Sequence, residues 1–309
     1  MKIVSLLVLP LLWSGAAQAQ SPAPVTRPQR PIPAVEHVVI ISIDGLRPDR
    51  LLLANTPVLH GMVQTGTYSF WAKTTAVSIT LPSHVSMLTG VNPRKHGIEW
   101  NEDLPLTTPI YPKRPTIFEM AKQAGYATAI ATGKAKFEPL TKPGTLDYQF
   151  VPEKSDLETD EPVADRAIGV IARLKPNVLF VHFPADDKAG HKYGWGSPEQ
   201  LAAIERADAC VGRILAAIEQ AGLRDSTCLI VTADHGGAGL THGPDDPRSR
   251  TIPWIITGPA VRKKFDLTQI ADLEVRTEDT CATACWLLGL PQPAYFDGHP
   301  VLQAFVEAP

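Results

Sequence analysis

The sequence predicts an α/β fold: a doubly wound, mostly parallel sheet with helices on both faces. Two observations carry this expectation. Apolar runs of strand length alternate along the chain with longer stretches of helical spacing, the order that produces parallel sheets. The runs "HVVIISID" (37–44), "NVLFVHF" (177–183) and "STCLIVTADHGG" (226–237) open with near-continuous apolar residues, as strands covered on both faces do. A chain of 309 residues is long enough to bury a sizeable core around such a sheet.

From the N-terminus, residues 1–19 carry Lys2, an apolar run from Ile3 to Trp13 and small residues ending at Ala19. This pattern predicts a cleavable signal peptide and a periplasmic or secreted location, and the run is too short to span a bilayer. Residues 20–36 are proline-dense and predict an extended linker, leaving 37–305 as one folded domain. Strand 37–44 places Asp44 at its C-terminal edge. Helical spacing with a glycine stop covers 55–66 and again 116–126, where Thr116 is the cap, and a short strand follows at 127–132. In the second half, helix 161–176 leads into strand 177–183. Residues 197–222 read as a long helix with Ser197 as N-cap and Pro198 in its first position. Strand 226–237 runs directly into Asp-His-Gly, and helix 276–290 closes the domain.

The formal net charge is −3, which implies no nucleic-acid polymer as partner; an anionic substrate would have to be held by local cations. No membrane contact beyond export is implied. None of the four cysteines has a Cys-x-x-Cys spacing, which disfavours thiolate zinc and thioredoxin-like chemistry. Cys281 and Cys285, four apart in a helical stretch, are expected as packed thiols.

Ligands of such sheets sit beyond the carboxyl ends of the strands, and there the polar residues gather. "DKAGH" places Asp187 and His191 four residues apart, "DHGG" sets Asp234 beside His235, and "LTHG" supplies His242. With Asp44 these make three carboxylates and three imidazoles, a mixed set suited to two divalent metal ions such as Zn2+. In "SITLPSH" a helix is expected to start at Pro82, so that Thr80 faces its N-terminus. Thr80 is then either a helix cap or a hydroxyl activated by metal coordination, in a place where helix N–H groups favour a phosphate oxygen.

These residues resemble the alkaline phosphatase superfamily, and within it the type I phosphodiesterase/nucleotide pyrophosphatase family, over residues 37–305. "TLPSHVSMLTGVNPRKHGI" is similar to the family's Thr-x-Pro-(Asn/Ser)-His segment with its downstream His-Gly-Ile, and "DKAGH" and "DHG" match its two acidic motifs. The resemblance implies an alkaline phosphatase-like domain in which Thr80 is the nucleophile. It implies one metal held by Asp44, Thr80, Asp234 and His235, and a second held by Asp187, His191 and a distal histidine. His242 is favoured for that last position, with His299 as competitor. Asn101 in "HGIEWN" would steady a phosphoryl oxygen, and Lys134 in "TGKAKF" would contact the phosphate by likeness to the sulfatase branch. A threonine cannot yield the formylglycine of sulfatases, which argues against sulfate esters.

The implied activity is that of an exported two-metal phosphoric ester hydrolase, acting on small phosphate esters by in-line displacement through a phospho-threonine intermediate. A phosphoryl or phosphoethanolamine transferase or phosphomutase of the same superfamily is the alternative. Monoester and diester substrates both remain open. Trp100, Phe137, Tyr193 and Trp195 could stack on a substrate or serve as packing residues.

Overall fold

The computed structural model describes residues 27–102, 110–153 and 155–306; the expected signal peptide lies outside them. In chain order the elements are β1 (His37–Ile43), α1 (Pro48–Leu53), α2 (Pro57–Thr65), β2 (Thr67–Lys73), α3 (Thr80–Thr89), α4 (Pro93–His96), α5 (Ile117–Gln123), β3 (Thr128–Thr132) and β4 (Tyr148–Phe150). They continue with α6 (Glu161–Leu174), β5 (Val178–Phe183), α7 (Ala185–Tyr193), α8 (Pro198–Gln220), β6 (Thr227–Thr232), α9 (Pro247–Arg250), β7 (Thr251–Thr257), β8 (Phe265–Asp266) and α10 (Thr277–Leu287).

One sheet orders the strands β4-β3-β5-β1-β6-β7-β2-β8. The run from β4 to β6 is parallel, whereas β7 runs antiparallel to both β6 and β2. Every residue of β1, β3, β5 and β6 is buried, the outcome expected of continuously apolar strands covered on both faces. On one side α8 packs against α1, α2, α6 and α7; on the other α10 packs against α3 and α5. Local signals act as the sequence implies. The Ser197 hydroxyl accepts the Gln200 N–H at the start of α8, and Thr116 and Glu119 form a capping box on α5.

Two expectations are corrected. The proline-dense linker does not stand off the domain where it is described, since Ile32 and Val35 are buried in the core and Glu36 N–H bonds Ser226 O. Helix α3 begins at Thr80 rather than Pro82, with Ile79 in the cap position and no side-chain cap. A proline is tolerated anywhere in a first helical turn because the N–H it lacks has no intrahelical acceptor there. The Thr80 hydroxyl is therefore not spent on capping. Among the described residues no helix is long and apolar enough to cross a membrane.

Candidate active site

Strands β5, β1 and β6 are neighbours in the middle of the sheet and run parallel, so their C-terminal ends share one rim. Asp44 is the residue after β1, and Asp234 and His235 follow β6. Strand β5 passes through Pro184 into α7, whose first turn carries Asp187 and whose next turn presents His191. The N-terminus of α3 brings Thr80, and the loop after β6 brings His242.

The donor atoms of Asp44, Asp234 and His235 lie within 4.8 Å of one another, and so do those of Asp187, His235 and His242. His235 Nε2 stands 3.4 Å from Asp44 Oδ1, 3.2 Å from Asp234 Oδ2 and 3.3 Å from the Thr80 hydroxyl. His191 Nε2 is 3.3 Å and His242 Nε2 3.8 Å from Asp187 Oδ1. The structure thus brings together Asp44, Thr80, Asp187, His191, Asp234, His235 and His242. His299 lies elsewhere, its backbone N–H bonded to Asp279 on α10.

The hydrogen bonds of the three imidazoles say what the cluster can hold. His235, His191 and His242 each place Nδ1 against a backbone carbonyl, that of Gly236 at 2.9 Å, Leu240 at 3.0 Å and Ser78 at 2.8 Å. A proton on each Nδ1 satisfies those contacts and leaves every Nε2 with a lone pair. Those lone pairs face Asp44 Oδ1, Asp187 Oδ1 and Asp234 Oδ2, buried oxygens that accept no hydrogen bond. Acceptor facing acceptor in a buried site is unfavourable unless a cation lies between them. The donor set, carboxylate oxygens with neutral imidazoles, fits borderline divalent ions.

The electrostatics agree for His235 and His242, both lowered by burial, whereas the Asp187 carboxylate beside His191 raises that imidazole. Burial is the largest influence on the Asp44 carboxyl and would push it up, but Lys134, the His182 hydrogen bond and His235 together outweigh it and hold the group well below the usual range. Burial and then the charge of Asp44 push Asp234 well above that range. Burial and the neighbouring His242 hold His235 down at about 3, so it is neutral at ordinary pH. Three carboxylates this close cannot all stay ionised without more positive charge than one lysine supplies.

That lysine bridges the two groups. Lys134 Nζ is buried, 2.7 Å from Asp44 Oδ2 and 2.6 Å from Asp187 Oδ2, so it takes the outer oxygen of each and leaves Oδ1 of both to the cluster. Asn101 Oδ1 accepts the Leu81 N–H at 2.8 Å, which turns the amide NH2 away from α3. Thr80, Asn101, Lys134 and Lys136 line an open cavity of about 740 Å3 that extends over α7 and α8 past Lys188, Tyr193 and Arg206.

Sequence reasoning assigned no role to two supporting histidines, His182 and the motif residue His84. His182, on β5, accepts the Gly133 N–H at Nδ1 (3.3 Å) and donates from Nε2 to Asp44 Oδ2 (2.9 Å), fixing that carboxylate from behind. His84 donates from Nδ1 to Thr80 O and accepts at Nε2 from the Ser42 hydroxyl, both at 2.8 Å. The available signal for His182 was a lone imidazole in an otherwise apolar buried strand, which must find a partner. Of the four aromatic candidates, Phe137 and Trp195 are buried and Trp100 packs on the core; only Tyr193, 48% exposed, faces the cavity.

A sequence model of the type I phosphodiesterase/nucleotide pyrophosphatase family matches residues 38–248. Human ectonucleotide pyrophosphatase/phosphodiesterase family member 1 is 26% identical over 220 residues, covering 64% of this chain and 23% of the human protein. A 2,3-bisphosphoglycerate-independent phosphoglycerate mutase from a Synechococcus strain is 32% identical over 170 residues, covering 52% and 30% of the two chains. Among solved structures, inactive murine ectonucleotide pyrophosphatase/phosphodiesterase 5 in complex with AMP matches with a TM-score of 0.69 at 16% identity, covering 87% of this chain and 98% of that one. At that identity the likeness is one of fold. The chain spans less than half the length of the curated relatives named here.

Proposed function

Because the chain belongs to the type I phosphodiesterase/nucleotide pyrophosphatase family, we propose that it is a metal-dependent hydrolase of small phosphoric esters with Thr80 as nucleophile. The observation that carries the reading is the convergence of three buried unsatisfied carboxylate oxygens and three imidazole lone pairs around one uncapped hydroxyl. Asp44, Asp234, His235 and Thr80 would hold one divalent ion, and Asp187, His191 and His242 the other. Bound there, two such ions, zinc by preference, supply Lewis acidity that lowers the pKa of an alcohol and offsets charge on a transferring phosphoryl group.

The chain's own residues do the rest. Thr80, held by the helix and by the His84 bond to its carbonyl, presents its oxygen to the cavity and would carry the phosphoryl group as a phospho-threonine. Leu81 N–H orients Asn101, whose amide NH2 is left to donate to a phosphoryl oxygen. Lys134 adds a cation for the extra anionic oxygen that a monoester dianion carries and a diester lacks. Export follows from the N-terminal pattern of residues 1–19.

The test is hydrolysis of p-nitrophenyl phosphate, bis-p-nitrophenyl phosphate, a thymidine nitrophenyl phosphate ester and p-nitrophenyl sulfate, before and after chelation and after zinc is restored. Turnover of a phosphate ester that chelation removes and zinc restores supports the reading; chelation-insensitive turnover, or none, rejects it. The similarity to a phosphoglycerate mutase favours one second reading, transfer to an acceptor other than water. Product partitioning towards a phosphorylated alcohol, when glycerol or ethanolamine is supplied, would select it.

A further inference from the structure

Trp195 sits in the loop between α7 and α8 and is almost wholly buried, yet its indole lies among the segments that carry the site. Its Nε1–H donates to Gly45 O at 2.9 Å, and Gly45 follows Asp44. A Cβ at Gly45 would lie 3.3 Å from the indole, one at Gly190 2.7 Å, and one at Gly237 closer still. Gly190 immediately precedes His191, and Gly237 lies two residues beyond His235. The ring thus fills space that side chains would occupy on three separate ligand-bearing segments.

Its relation to the second ligand group is more direct. The indole meets His191 edge-on at 5.2 Å and 82°, and His242 at 6.0 Å and 70°. The Trp195 backbone N–H donates to Gly239 O at 2.9 Å, which fixes the loop whose next carbonyl, Leu240 O, holds His191 Nδ1. His191 is 44% exposed on its side chain, and on its buried side the ring meets that carbonyl, the indole, the His242 ring at 5.0 Å and Asp187.

We propose that Trp195 is a positioning residue for the metal centre, a wedge that aims His191 and His242 at the second cation while touching the first ligand group only through backbone. This inference rests on the two-ion reading above. Deleting the indole leaves a void beside His191 and His242 while the backbone bond to Gly239 O persists, so the rings of the second group lose the packing that sets their angle; the ligands of the first are still held by strands β1 and β6. Loss of support behind metal ligands typically costs 10–100-fold in affinity.

The experiment is zinc binding to purified full chains by equilibrium dialysis with elemental analysis. Wild type, Trp195→Phe, Trp195→Ala and Gly190→Ala are compared, with circular dichroism of each chelated form as a check on folding. Wild type should bind two ions per chain. Trp195→Ala should keep one at near wild-type affinity and bind the other about 10- to 100-fold more weakly. Trp195→Phe, which still fills much of the gap, should fall between. Gly190→Ala, which displaces the ring without removing it, should repeat the selective loss, and with Trp195→Phe it carries the test if Trp195→Ala fails to fold. Two ions bound at wild-type affinity by folded variants would overturn the inference alone. A wild type that takes up no zinc would overturn the proposed function and this inference together.

Discussion

The imidazoles of His235 and His242 stack face to face, their centroids 3.6 Å apart and their planes 14° from parallel. They present their Nε2 atoms to carboxylates of different ligand groups, so the thickness of one ring stack spaces the two groups. His299 has no such relation to the cluster. Replacement His242→Ala should therefore lower zinc content from two ions per chain to one, whereas His299→Ala should leave it at two; elemental analysis after dialysis separates the outcomes.

Thr80 contributes the only uncapped hydroxyl in contact with His235 Nε2 among the described residues. Thr80→Ala should reduce phosphate ester hydrolysis by about 10³-fold or more, while Asp44, Asp234 and His235, three donors within 4.8 Å of one another, still hold an ion and the circular dichroism spectrum stays near wild type. Thr80→Ser should recover part of the loss, and rapid acid quenching should trap a phosphorylated chain in wild type but not in Thr80→Ala.

Lys134 is set against two carboxylates of different groups and also lines the cavity. Lys134→Ala should lower kcat/KM for p-nitrophenyl phosphate by about 10²-fold, the scale of losing one charged phosphoryl contact, and for bis-p-nitrophenyl phosphate by much less. An equal loss on both esters would assign Lys134 to holding Asp44 and Asp187 alone.

His182 accepts a backbone N–H at one nitrogen, so its other nitrogen must be the donor to Asp44. His182→Ala removes that donor and a buried ring together. Zinc affinity should fall about 10–100-fold, and His182→Gln, which keeps an N–H to offer, should restore some of it. Competition with a calibrated chelator measures both.

Asp160 offers a pH test at a carboxyl outside the ligand set, beside the start of the helix that carries Asp187. Burial raises its carboxyl from 3.8 to about 7, although Oδ1 accepts the Ala185 N–H. The folded chain then holds this proton more tightly than the unfolded chain. Stability from the protonated form is intact below pH 4 and lost as pH rises towards 7, and above that the charged carboxylate costs up to about 4 kcal/mol. Asp160→Asn keeps the acceptor and removes the charge. Its melting midpoint in chelator should exceed wild type by several degrees at pH 8, with the gap closing by pH 4.

What the sequence made legible was what a continuous apolar run or a capping residue writes locally. Strands β1, β5 and β6, their terminal carboxylates, and the starts of α5 and α8 follow from such signals. The direction of β7 was not legible, because "IPWII" is equally apolar read either way and its pairing is decided by neighbours distant in sequence. Strands β4 and β8, of three and two residues, are too short to show a period, and β2 mixes buried with part-exposed positions. At the site, motif residues announce themselves by chemical type. His182 does not, since it resembles an ordinary core residue until its hydrogen bonds are seen, and Trp195 stood out only as an aromatic that could stack or pack.

Asp44 and Asp234 hang from strands whose ladders are sealed on both sides by further strands and above and below by helices. Amide exchange along β1 and β6 therefore has no edge from which to begin and must await opening of the whole domain. The loop bearing His242 is held instead by the Trp195 N–H bond to Gly239 O, the Ala238–Thr241 bridge and the His242 bond to Ser78 O, none of them part of a sheet ladder. Departure of a captured ion would accordingly start at that loop and be timed by it, long before the sheet beneath gives way.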